Sequence, residues 1–402
     1  MRKKRLGVVG AGSAGILSLV HFCTWLGNDW EIVSIYNPEK PILGIGESTN
    51  GGFVALLEKG THFALGRKED LRELDATLKF GSRFRNWREH NWLNPLLDGN
   101  TAIHFNNFHF KDFAHRRLAK LWPEKFRVLE GDVKSMDSLA DKVVVVIDDR
   151  EEDFDYVIDC MGSPGDLSDY VLSDCTPVNR CIIHNMFDYD LEYETDHIAT
   201  PNGWMFGVPL ISRKTYGYMF NDTITTVEEA TKDMCDILKV DEVDGKEYRF
   251  KCYYTEKMIE GRVCKCGNKA MFFEPLVANS IFLYILSIRM FFDHIIENAP
   301  AADLNRRYAE AVQQMEDVIS YYYKGGSVFE TPFWDFAAKK CAERLEKRDR
   351  FKQLCADYAR LKSQGTMHYG PTYAFSPLTW EIVDEQMGYN SFARPRPART
   401  TE

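Results

Sequence analysis

The sequence predicts an α/β fold: a Rossmann-like nucleotide-binding unit, an antiparallel sheet on the side of a substrate, and a helical C-terminal part. Three observations carry it. The chain opens with an apolar run, a glycine-rich turn and a helical segment. Residues 200–222 and 246–264 alternate and are rich in aromatics, as antiparallel strands over a binding space are. From Ile281 onward, long segments repeat at helical period.

In chain order, residues 5–10 read as a strand, Ile16 to about Leu26 as a helix, and Glu31 to Tyr36 as a second strand, the start of a βαβ unit. Residues 67–95 are charged, Trp-rich and helical in part, with Lys79 among them. Val143 to Ile147 and Tyr156 to Cys160 read as neighbouring strands joined by an acidic turn, Asp148 to Asp155. Helices are predicted over 281–297, 302–324 and 335–363. The expected organisation is a core over 1–300, with its substrate-side sheet at about 170–265, a helical region over 301–390, and a disordered Pro/Arg tail over 391–402.

The 402 residues are 45% hydrophobic, enough for a sizeable core, and the net charge of −10 argues against nucleic acid or an anionic membrane as partner. A small molecule suits such a surface better. No apolar run approaches the ~18 residues of a membrane span, and the N-terminus lacks the pattern of a secretory signal. A cytoplasmic location is expected. Ten scattered cysteines suggest free thiols, and the Cys264-Lys265-Cys266 pair has no companion ligands, so no metal site is expected.

In Gly10-Ala11-Gly12-Ser13-Ala14-Gly15 the first glycine permits the turn, the second lets backbone approach a pyrophosphate, and the third packs helix on strand. The helix N-terminus then offers free N–H groups to phosphate. An acid at the end of the second strand would bond a ribose, but the chain reads Ile35-Tyr36-Asn37 there. Asp159-Cys160-Met161-Gly162 resembles the second flavin-contacting signature of FAD-dependent monooxygenase-like folds. Together these favour FAD over NAD.

Further segments fall in the order of one family. Gly44-Ile45-Gly46-Glu47-Ser48-Thr49, Thr77-Leu78-Lys79-Phe80, Gly203-Trp204-Met205-Phe206-Gly207-Val208-Pro209-Leu210, Phe273-Glu274-Pro275-Leu276 with Asn279-Ser280-Ile281, and Thr331-Pro332-Phe333-Trp334 resemble motifs of the flavin-dependent, tryptophan-halogenase-like enzymes. The chain is shorter than the tryptophan-specific members and resembles the family's compact relatives, phage-encoded ones among them.

The resemblance implies the FAD-binding fold of the flavin monooxygenase and halogenase type. It implies an enzyme in which FADH2 from a separate flavin reductase, O2 and halide give hypohalous acid, relayed to Lys79 for halogenation of an electron-rich aromatic such as an indole or phenol. Lys79 is then catalytic: its N–H donors hold and polarise the oxygen-bound halogen, and a desolvated amine shifts its pKa to suit. Gly46, Glu47, Ser48, Thr49, Asp159, Gly162 and Ile281 join the glycine loop at the cofactor, and Asn279 and Ser280 hold chloride, bromide or iodide. Trp204, Phe206 and Pro209 part flavin from substrate, and a homo-oligomer is expected. The match breaks where the family's second catalytic residue, a glutamate, becomes Val277, and its serine Ala278. Glu274 and Glu47 are the substitutes to consider. A flavin-dependent aromatic hydroxylase and a non-catalytic flavin-binding protein are the competing readings.

Overall fold

The computed structural model describes residues 2–42, 47–96, 101–243, 245–363 and 377–389. Gly46, with Gly44 and Ile45 before it, and the tail 391–402 lie outside the described residues.

The opening βαβ unit forms as predicted. β1 (Lys4–Val9) leads through the glycines into α1 (Ser13–Trp25), and β2 (Trp30–Tyr36) returns parallel to β1. Every residue of α1 from Ser13 to Cys23 is buried, because sheet covers one side and a later helix, Asn279–Ile296, covers the other. The sheet has six strands in the order Ile259–Glu260, Val263–Lys265, Tyr156–Asp159, β1, β2, Phe126–Glu130, all parallel except the first. This is the Rossmann-like unit.

The next five strands divide between two sheets. β3 (Glu47–Ser48), β4 (Thr77–Lys79) and β7 (Ala102–Phe105) form a ribbon with β7 in the middle. β5 (Gly81–Arg85) and β6 (Trp92–Pro95) extend the larger sheet, whose order is Lys246–Arg249, Arg180–Met186, Lys214–Phe220, Gly203–Pro209, Glu194–Thr200, β5, β6. Alternation along Gly203–Pro209 turns Trp204, Phe206 and Val208 to the main core and Met205 to a smaller one under the Val227–Leu238 helix. The C-terminal helices Ala301–Tyr323, Pro332–Glu346, Asp349–Ser363 and Pro377–Gln386 complete the far side.

The stretch 67–95 is helical in part, over Lys68–Glu73, and Lys79 within it stands on a strand through pairing with β7. Three sequence expectations need correction. Val143–Ile147 and Tyr156–Asp159 are not neighbours. The acidic stretch between them contains a strand, Arg150–Phe154, that pairs with Val143–Ile147 after a tight turn at Asp148, whose φ is +52°. Of 246–264 only Lys246–Arg249 joins the antiparallel sheet; Tyr253–Tyr254 enters a small separate sheet, and the rest crosses to the parallel one. The helix expected over 335–363 is two, broken at Lys347 and Arg348.

Candidate active site

Two connected spaces lie between these sheets. The first is a cleft of about 510 Å³ at the carboxyl ends of β1 and β2, lined by the glycine loop, Asn37, Asp132 and Gly162. Gly15 lies at the closest approach of helix to turn: a Cβ there would stand 1.9 Å from the Gly10 carbonyl oxygen. Gly10, at φ +104°, would meet Cys160 O at 2.4 Å. Gly12 differs, since its nearest neighbour would be Ile42 at 3.6 Å, so protein packing does not demand a glycine there. An open backbone facing a cleft suits a ligand that comes close. Gly12 caps α1 without a side-chain bond, and no acidic residue sits in the first turn, which leaves helical N–H groups and positive dipole for a pyrophosphate. These features fit a dinucleotide.

Cleft residues that sequence reasoning missed are Lys40, Lys111 and Asp132. Asp132 bonds Lys40 and Lys134, which hold its carboxyl down at about 2. These residues stand beside the Tyr36-Asn37 end of β2, where the ribose acid is absent, and no local motif marks them.

The second space, of about 750 Å³, lies between the inner face of the antiparallel sheet and the start of the Asn279–Ile296 helix. Phe206, Val208 and Thr195 form one wall, and Ala278, Ser280 and Ile281 the other. The two spaces share Glu47, Ser163, Asn268 and Tyr284. Burial pushes the Glu47 carboxyl up to about 7, although the Ser13 hydroxyl, 3.5 Å away, partly offsets it. Ala278 precedes the helix at φ +56°, a left-handed conformation costing an alanine about 1 kcal/mol, with no side-chain cap. The first helical N–H groups therefore face the cavity end without a side-chain acceptor from the cap residue, an arrangement that suits a small anion.

Lys79 lies beyond the Ser48 end of this cavity and lines neither space. It is 3% exposed, its Nζ donates to the Thr49 carbonyl at 3.0 Å, and burial draws its pKa down to about 7. Among the described residues no carboxylate forms an ion pair with it. Glu274, the nearest substitute in sequence, turns elsewhere: its carboxyl accepts from the Thr176 and Tyr323 hydroxyls and is pushed up to about 7 by burial. Behind the Phe206 wall, Trp92, Phe84, His197 and Trp204 stack in sequence at 4.1, 4.7 and 5.7 Å between ring centroids. Burial, with Lys79 close by, holds His197 down at about 3.

Gly10, Ala11, Gly12, Ser13, Ala14 and Gly162 thus meet at the cleft, Ser48, Phe206, Ser280 and Ile281 at the cavity, and Glu47 at both. Others stand back. Gly15 packs on Gly10; Asp159 bonds the Met161 N–H and pairs with Lys269 at 3.4 Å; the Thr49 hydroxyl donates to the Ile103 carbonyl. Trp204 and Pro209 are buried without lining the cavity, and the side chains of Val277 and Asn279 lie outside the described residues.

The family model described as tryptophan halogenase matches residues 5–135 and 95–394. The tryptophan 7-halogenase of Lentzea aerocolonigenes is 22% identical over 90% of this chain and 84% of its own. The tryptophan 6-halogenase of Streptomyces albogriseolus is 22% identical over 97% and 86%. Among solved structures, a tryptophan halogenase from Shewanella frigidimarina superposes with a TM-score of 0.81 at 19% identity, covering 99% of this chain and 90% of that one. A flavin-dependent halogenase from Xanthomonas campestris gives 0.81 at 18%, over 98% and 90%. The Rossmann-type fold is shared with both.

Proposed function

The chain belongs to the tryptophan halogenase family, and from that membership we propose that it is an FADH2-dependent halogenase acting on an electron-rich aromatic such as an indole or phenol. One observation carries the reading. A cavity continuous with the dinucleotide cleft ends at Ser48, and just beyond it a buried lysine rests its amine on the Thr49 carbonyl.

The glycine loop would hold the FAD pyrophosphate, with Ser48, Ser280 and Ile281 beside the ring. When bound and reduced, the flavin supplies with O2 and halide a hypohalous oxidant. The amides of Asn279 and Ser280, at the uncapped start of their helix, would hold the halide. Phe206, Trp204 and the Pro209 segment keep substrate from the flavin, so an oxidant must travel to act. Lys79, its pKa drawn down to about 7 by burial, is about half-protonated near pH 7 and can donate an N–H to that oxidant in either form. Its aim is set by a backbone carbonyl, which accounts for tolerance of Val277 where relatives place a carboxylate. A separate flavin reductase would supply the reduced cofactor.

The test is incubation with a reductase, NADH, FAD, O2 and each of chloride, bromide and iodide over a panel of indoles and phenols. Halogenated product by mass spectrometry supports the reading. Hydroxylated product alone replaces it with a monooxygenase, and flavin binding with no product replaces it with a binding protein.

A further inference from the structure

Five residues from five separate segments form one hydrogen-bonded chain between the cavity and the wall behind it. Ser48 Oγ lies 2.8 Å from Thr195 Oγ1, Thr195 Oγ1 lies 2.9 Å from His104 Nε2, and His104 Nδ1 lies 3.0 Å from Thr77 Oγ1. Thr77 Oγ1 in turn lies 2.7 Å from the Pro209 carbonyl oxygen. Ser48 and Thr195 reach the cavity, whereas His104 is fully buried.

A carbonyl oxygen only accepts, so the one proton on the Thr77 hydroxyl is committed to Pro209. Thr77 Oγ1 must then accept from His104, which places the ring proton on Nδ1 and leaves Nε2 bare. Nε2 accepts from Thr195, and Thr195 accepts from Ser48. Reversing the chain would take the Thr77 proton from a buried carbonyl, at a cost of about 1–3 kcal/mol. A second proton on His104 would also break the direction, and complete burial, with Lys79 and Lys214 as the charges facing the ring, holds its pKa well below the usual histidine range.

We propose that Ser48 Oγ is an obligate hydrogen-bond acceptor at the inner end of the cavity, so that this end selects a ligand group bearing N–H or O–H. Resting on the flavin reading above, with N5 of the ring at Ser48 the site favours the reduced ring, which carries an N–H there where the oxidised ring carries a bare nitrogen. A site built around one polarity discriminates because the wrong partner leaves buried lone pairs facing each other.

Two measurements test this. In ¹⁵N-histidine-labelled, ligand-free protein, the His104 resonances should report a protonated Nδ1 and a bare Nε2; the opposite tautomer, or a doubly protonated ring at pH 7, overturns the proposal. Anaerobic titrations with FADH2 and with FAD should then give an affinity ratio that falls about tenfold in Ser48→Ala, the worth of one hydrogen bond. Thr195→Val should lose the preference too, and Thr195→Ser, which keeps the hydroxyl, should retain it. Equal ratios in wild type, Ser48→Ala and Thr195→Val overturn the proposal. Failure of both flavin forms to bind overturns the flavin reading and with it the redox preference, while the His104 tautomer still decides the polarity of Ser48.

Discussion

Burial sets the charge of Lys79 and Glu47, and each effect can be measured. The Lys79 amine falls from an ordinary 10.5 to about 7, so the folded protein binds less proton than the unfolded chain between those values. Stability contributed through this group is therefore lowest below pH 7 and rises toward pH 10. Lys79→Met should raise stability at pH 6 by something on the order of 3 kcal/mol, with the gain shrinking toward pH 10 in denaturant titrations, while halogenation falls at least about 100-fold. Retained halogenation in Lys79→Ala that binds flavin normally would remove the lysine from the mechanism. Glu47 titrates near 7 at the junction of the two spaces. Flavin affinity should weaken as pH rises through 7 and this carboxyl ionises, and Glu47→Gln should flatten that slope in fluorescence titrations at pH 6 and 8.

The opening βαβ unit separates the duties of its glycines. Gly15→Ala would press a methyl into the Gly10 carbonyl and should destabilise the fold by about 3 kcal/mol or more. Gly12→Ala has room for its methyl and should melt near the wild-type temperature while binding flavin at least tenfold more weakly. Thermal melts paired with titrations separate the two. This unit was legible in the sequence because turn, strand and helix are contiguous there. β4 was not: three residues carry little strand signal of their own, and what fixes Thr77 and Lys79 is pairing with β7, more than 20 residues later. The Ser48–Thr195–His104–Thr77 chain was illegible for the same reason, as each member is an ordinary polar residue until the sheets bring it in.

Across the whole molecule, the C-terminal helices are tied to one another by buried charge. Arg344 pairs with Glu316 and Asp317 at 3.1 Å each, with the acid side chains at most 5% exposed. Arg344→Met would leave Glu316 and Asp317 to Arg348, at 3.5 and 3.0 Å, and should cost about 1–3 kcal/mol at pH 7.5, less at pH 5 where they take up protons, as denaturant titrations at both pH values can show. The helices themselves were readable from periodicity, but their partners were not, because periodicity fixes a buried face and leaves open what covers it. The placement of Trp204 and Phe206 two residues apart on one face of one strand has a practical side. The cavity lining and the aromatic layer behind it share a backbone, so an engineer who moves the strand to widen the chamber also shifts the insulation. Trimming Ile281 or Tyr284 at the opposite wall leaves that stack alone, but it reshapes the side where the flavin ring would sit.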